Sequence, residues 1–337
     1  MFVALATAVS EITPVSPGPD LETRVILWTF LAAACVFVLF WAVRFAMGRV
    51  TFSPPSPLLE PELAAGALPP PLPLGPEVES PVATGFQRHF KVPVAHYRLF
   101  DLPLIGLVFL IYCGLIAGNS GSGGGEEIPL EQKFRPEVLI ASMFFQLILM
   151  GMACAFVVRR IKQSDWLGLR WKQWWLAFAI APVTVFFVWG VLLATHLSGL
   201  NGWLEQTLGI ESMQQEAVKL LQEAKDPAVI ILMGVAAVIV APLAEEVVFR
   251  GYLYPAAKRF CGAYGAMIFS SMVFAAAHAN AVALVPLFIL AMLLCLIYEL
   301  TGSIWANISV HFLFNLATVT LQLLVKYGVI DVQAPGS

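Results

Sequence analysis

Charge is what this sequence has least of. Only 12% of its 337 residues are charged, against 59% that are hydrophobic. Soluble domains carry about a quarter charged residues, so too little polar surface is present to cover a globule. That excludes a soluble globular domain and predicts a polytopic membrane protein. The net charge of -3 provides no basic surface for a polyanion, and no nucleic-acid partner is expected. The five cysteines (Cys35, Cys113, Cys154, Cys261 and Cys295) include no CxxC pair. A disulfide framework or a zinc ribbon is therefore not expected, and the thiols read as free and buried. An HExxH sequence is also absent, and with it the local signature of many zinc peptidases. The opening 1-MFVALATAVS-10 contains no base, so it does not read as a signal peptide.

Long apolar runs are what the sequence does have. A helix crossing hydrocarbon needs about 20 such residues. Eight runs are candidates: Val25–Val43, Leu104–Ala117, Val138–Val157, Trp174–Ala194, Pro227–Tyr254, Ala263–His278, Ala281–Leu300 and Ile304–Val325. The second and sixth are short. The predicted fold is all-α, a polytopic membrane bundle of about eight transmembrane helices. Bases cluster in alternate loops, as in 159-RRIK-162 and at Arg170, Lys172, Lys258 and Arg259, which marks those loops as cytoplasmic. Both termini then lie on the other side. A multi-pass integral membrane protein is expected, with the lipid bilayer as its solvent.

The organisation follows from the spans. Residues 1–50 read as an N-terminal segment with a lone anchoring helix, and 51–98 as a cytoplasmic linker whose prolines preclude regular structure. Residues 99–137 read as a transmembrane helix with a glycine-rich outer loop, 138–325 as the functional core and 326–337 as a tail. Residues 210–225 have the spacing of an amphipathic helix at the outer surface.

Ionisable groups at bilayer depth are costly and face a bundle interior or a wet cavity. The core breaks the apolar pattern at three places. The first is 244-AEEVVFRGYLYP-255, where Glu246 and Arg250 are one turn apart and able to pair. Glu245 points about a third of a turn away and is left without a partner on its helix. The second place is His278, with Phe274 one turn before it. The third is 311-HFLFN-315, with His311 and Asn315 on one face. Glu299 is a fourth acid, expected to reach the interface from a span end. At about 1.5 Å per residue, Glu245, His278 and His311 lie roughly 20, 22 and 14 Å from their cytoplasmic helix ends, close enough to share one level.

Two chemistries suit these side chains. Glu245 can activate a water beside His278, with His311 and Asn315 donating to a developing oxyanion. That needs no cofactor. Alternatively Glu245, His278 and His311 hold a zinc ion that activates the water. A proton-coupled transporter would use the same residue types, but no inverted repeat is evident.

In order along successive helices, EExxxR at 245–250, FxxxH at 274–278 and HxxxN at 311–315 resemble the CPBP family. That family comprises the CAAX prenyl endopeptidases and the bacterial Abi self-immunity proteases. The resemblance covers about 138–325 and implies an intramembrane endopeptidase whose cavity opens to the cytosol. It implies Glu245 as base, assisted by His278, with His311 and Asn315 as oxyanion donors. Glu246, Arg250 and Phe274 would be supporting residues. The implied partner is a membrane-associated peptide or protein substrate, lipidated or not. A non-proteolytic scaffold is the implied alternative.

Overall fold

The computed structural model describes residues 21–49, 90–120, 135–208 and 221–330. The proline-rich stretch 52–81 and most of the glycine-rich loop and of the amphipathic helix lie outside the described residues. Among the described residues there are helices and no strands, so the fold is all-α. Three helices come first: α1 (Leu21–Ala46), α2 (Asp101–Ser120) and α3 (Pro136–Val157). A short turn at Gln163–Trp166 leads to α4 (Ala177–Leu197). Next comes a helical run of 51 residues, Pro227–Ala277. Gly262, at φ 79° and ψ 171°, breaks it. The arm before the break (227–261) is α5 and the arm after it (263–277) is α6. Then follow α7 (Leu284–Thr301) and α8 (Ile304–Lys326). Among the described residues seven helical runs are long and apolar enough to cross a membrane, and counting the broken run as two arms makes eight, a multi-pass membrane bundle.

Helix α1 is not a lone anchor. It lies along α6, with Ile26, Phe30 and Ala33 buried. Phe37 and Phe269 rings meet at 5.1 Å. Phe40 fills the space above Gly265, where an added Cβ would fall 2.6 Å from Cγ of that ring. The Glu22 carboxylate accepts from the Ala281 N–H at 3.0 Å. The reason is packing: Gly265 has no side chain, which leaves room for the Phe40 ring against the α6 backbone.

The basic ends of the helices are tied by three buried polar knots. Asp101 accepts from Arg160 at 2.7 Å and from the Tyr252 hydroxyl at 2.9 Å. Glu299 accepts from Lys258, from the Tyr254 hydroxyl at 2.6 Å and from the Val92 N–H at 3.1 Å. Glu299 is therefore fully buried and does not reach the interface as the sequence suggested. A lysine on the neighbouring helix satisfies it instead. The third knot is Tyr97 and Trp166 on the Gly251 carbonyl, at 3.0 and 2.8 Å. Residues 90–98, the end of the expected linker, are thus docked structure. Three of the thiols also depart from expectation: Cys35 is exposed, and Cys113 and Cys154 are only half-buried, whereas Cys261 and Cys295 are buried.

Close backbone approach fixes the turn between α3 and α4. Gly168 has φ +60°, and a Cβ there would sit 1.8 Å from the Gly302 carbonyl oxygen. A side chain would be strained by φ and blocked by backbone. Gly168→Ala is expected to cost at least about 2 kcal/mol, seen as a lowered midpoint of thermal unfolding in detergent.

Two prolines set the shape of α5. The segments Ala236–Val240 and Val247–Leu253 are π-helical, with N–H groups reaching back five residues. The Ala241 N–H bonds the Ala236 carbonyl, and Pro242 has no N–H to give. The Ala237 carbonyl is left for a side chain from α8, Asn315, at 2.7 Å. Pro255 likewise stands where the α-helical donor to Gly251 would be, and that carbonyl takes Trp166 and Tyr97. Glu245 and Glu246 lie between the two π segments.

Candidate active site

Helices α5, α6 and α8 bring Glu245, Glu246, His278 and His311 together. Glu245 Oε2 is 3.9 Å from His278 Nε2 and 3.8 Å from His311 Nε2. The side chains come from different helices, and both imidazoles meet the Glu245 carboxylate within 4 Å. Glu245 and His278 side chains are 21% and 25% exposed, whereas Glu246 and Arg250 are 0% and 1%. Adjacent residues thus face different surroundings: Glu245 an accessible space, Glu246 the packed interior. Arg250 is too deep to snorkel.

Glu246 does more than balance a charge. Its Oε1 accepts from Arg250 Nη1 at 2.9 Å and from His311 Nδ1 at 2.9 Å. Its Oε2 accepts from Asn307 Nδ2 at 3.3 Å. Arg250 is stacked over the Phe274 ring at 4.4 Å, a cation–π contact away from water. Phe274 also meets His278 at 4.7 Å and His311 edge-on at 5.9 Å, so one ring spaces all three polar groups.

The hydrogen bonds fix the imidazole tautomers. His278 Nδ1 lies 2.8 Å from the Phe274 carbonyl oxygen, which can only accept, so Nδ1 carries the hydrogen. The Nδ1 of His311 donates to Glu246 in the same way. When the rings are neutral, both Nε2 atoms present lone pairs toward Glu245. When His311 is protonated, its Nε2 becomes a donor and Glu246 holds the cation. The side chains of Glu245, Glu246 and Arg250 sum to one negative charge, and protonating His311 neutralises the group.

Asn315 is on the His311 face but its amide is committed to the Ala237 carbonyl, leaving one N–H of Nδ2. Asn307 was not singled out by its sequence. It lies one turn before His311, is fully buried, and donates to Glu246 and, at 2.8 Å, to the Leu294 carbonyl. The signal was present as a ladder of Asn307, His311 and Asn315 at steps of four, of which the sequence motif uses the last two.

A cavity of about 210 Å³ opens beside Glu245. Its walls include Tyr112 from α2, Ser142 and Gln146 from α3, and Ala277 from α6. Glu245 Oε2 is buried there without a hydrogen-bond partner. Among the described residues, no group of three or more His, Cys, Asp or Glu side chains has the geometry to hold a metal ion.

Comparison with known proteins points to the same helices. Residues 227–317 match the family described as type II CAAX prenyl endopeptidase Rce1-like. A curated protein of Bacillus subtilis (strain 168), named "Putative membrane peptidase YdiL", is 27% identical over 137 residues. That alignment covers 40% of this chain and 54% of the relative, so the chain spans about half the length of the curated relative it matches. No solved structure matches. From α5 into α8, the stretch that carries Glu245, His278 and His311, the chain resembles the type II CAAX prenyl endopeptidases.

Proposed function

We propose that this protein is an intramembrane endopeptidase, with Glu245 as the base that activates water. The observation that carries this reading is the Glu245 carboxylate. It is unpartnered at Oε2, beside a cavity, and faces two imidazole Nε2 atoms at 3.8 and 3.9 Å. A water about 2.8 Å from both Glu245 Oε2 and His278 Nε2 would subtend roughly a right angle, close to its own bond angle. It can then donate one hydrogen to each.

The chemistry balances without a cofactor. Glu245 takes a proton from the water as its oxygen attacks the peptide carbonyl carbon. The carbonyl oxygen becomes an oxyanion and receives hydrogen bonds from protonated His311 and from the free N–H of Asn315. Glu245 then passes its proton to the departing amine, and the C–N bond breaks to give an acid and an amine. Glu246, with Arg250 and Asn307, holds His311 in the orientation and charge state this requires. The substrate is a membrane-associated protein or peptide, lipidated or not, cut near its C-terminus or close to the membrane. Entry is from the cytosolic side, where the basic loops lie.

A zinc reading has one observation in its favour. Each histidine gives Nδ1–H to an oxygen and keeps Nε2 free, the pattern of metal-bound imidazoles. Glu245, His278 and His311 would be the ligands, and zinc would supply Lewis acidity to the water. Against it, donors on one tetrahedral zinc lie about 3.4 Å apart, and these are wider at 3.8 and 3.9 Å.

The function is tested by comparing peptide termini in membranes that do and do not contain the protein. New termini are expected; none would leave a transporter or a scaffold. The metal question has its own test. Cleavage is expected to be unchanged after strong chelation, and loss that stoichiometric zinc restores would establish the zinc reading.

A further inference from the structure

Helix α3 has no part in the scheme above, yet it lines the cavity. Its sequence PEVLIASMFFQLILMGMACAFV is apolar almost throughout. Two polar side chains interrupt it past the first turn, Ser142 and Gln146, four residues apart and so on one face. Ser142 spends its hydroxyl on its own helix, donating to the Leu139 carbonyl at 2.8 Å. Gln146 is different: its Oε1 is shut off from solvent and has no hydrogen-bond partner.

An amide oxygen buried without a donor destabilises a fold, and more so where hydrocarbon surrounds it. A leucine at this position would carry no such penalty. Gln146 also shares its cavity with Glu245, whose Oε2 is equally unpartnered. Two orphaned oxygens on residues that line one small cavity call for a guest that brings donors. A water suffices for Glu245, which only accepts. Gln146 presents both an acceptor and an N–H donor, the complement of a peptide unit with its N–H and C=O.

We propose that Gln146 binds the main chain of the substrate beside the scissile bond. Its Oε1 accepts from a substrate N–H and its Nε2 donates to a substrate carbonyl, which lays an extended peptide against Glu245. Such a clasp reads backbone and not side chains, so it orients the bond without selecting the sequence. Asn315 is less free to do this, because the Ala237 carbonyl already holds its amide. The proposal rests on the endopeptidase reading.

The test uses the full chain in membranes and in detergent: wild type, Glu245→Gln, Gln146→Leu and Gln146→Met. The probe is the set of peptide termini that wild type generates and Glu245→Gln does not, quantified by mass spectrometry over time. Both Gln146 variants are expected to yield those termini about 10- to 100-fold more slowly. Their thermal unfolding midpoints are expected at or above that of wild type, since an orphaned polar group has been removed. A structural role for Gln146 would lower the midpoint, and a lowered midpoint in both variants overturns the proposal. So does cleavage at the wild-type rate. If wild type and Glu245→Gln give the same termini, the endopeptidase reading itself fails, and that result is distinct from either outcome for Gln146.

Discussion

Membranes carrying Glu245→Gln are expected to lack the peptide termini that the wild-type protein produces, with turnover down by about 10²- to 10⁴-fold. Glutamine keeps the shape of the side chain and one acceptor oxygen but cannot take the water's proton. Folding should be untouched, because no hydrogen bond to Glu245 Oε2 is lost. The variant is therefore expected to unfold at the wild-type temperature. Glu245→Asp withdraws the carboxylate by about one bond length and widens gaps that are already 3.8 and 3.9 Å, so it should retain only residual activity. Full cleavage by the glutamine variant would sink the mechanism.

Arg250→Met should have the largest effect on stability. Arg250 and Glu246 are 1% and 0% exposed and 2.9 Å apart. Removing the guanidinium leaves a carboxylate in a dry interior with only His311 and Asn307 to offset it. Loss of one member of such a pair costs about 3–5 kcal/mol, and the protein is expected to accumulate poorly and to unfold at a much lower temperature. A second substitution separates charge from packing. Adding Glu246→Gln to Arg250→Met removes the stranded charge, so most of the lost stability should return. Activity should not return with it, because His311 no longer has a carboxylate to hold its proton. If the double variant is as unstable as the single one, the Arg250 contribution is packing on Phe274 and not charge.

Much of this arrangement is legible in the chain because hydrocarbon is an unforgiving solvent. Eight apolar runs map onto eight helical arms within a few residues, since each must be long and greasy enough to cross. The polar exceptions are conspicuous for the same reason, and Glu245, His278 and His311 stand out from their surroundings. The i to i+4 step pairs Glu246 with Arg250 correctly. It fails for Glu299, whose partner Lys258 comes from another helix 41 residues away. It also misses what Glu246 does for His311, a contact 65 residues apart in sequence. Helix α1 looked separable because a proline-rich stretch follows it. Its docking depends on Gly265 in α6, which makes room for Phe40, and composition does not announce shape complementarity. Gln146 is not legible in the sequence, because one amide in a span is unremarkable until the wall it faces is known.

Pro242 and Pro255 change what the long helix specifies. Each frees a carbonyl that another part of the chain grips: Asn315 holds Ala237, while Trp166 and Tyr97 hold Gly251. Glu245 and Glu246 sit between these two grips, like a shaft clamped at both ends. The number of residues between the clamps, together with the wider π turns, sets the angle at which each carboxylate emerges. One residue more or fewer would turn one end against the other by about 100°. The direction in which Glu245 points is thus encoded by counting. A sequence of equal hydrophobicity and equal charge, one residue longer between Ala237 and Gly251, would build the same bundle around a carboxylate aimed elsewhere.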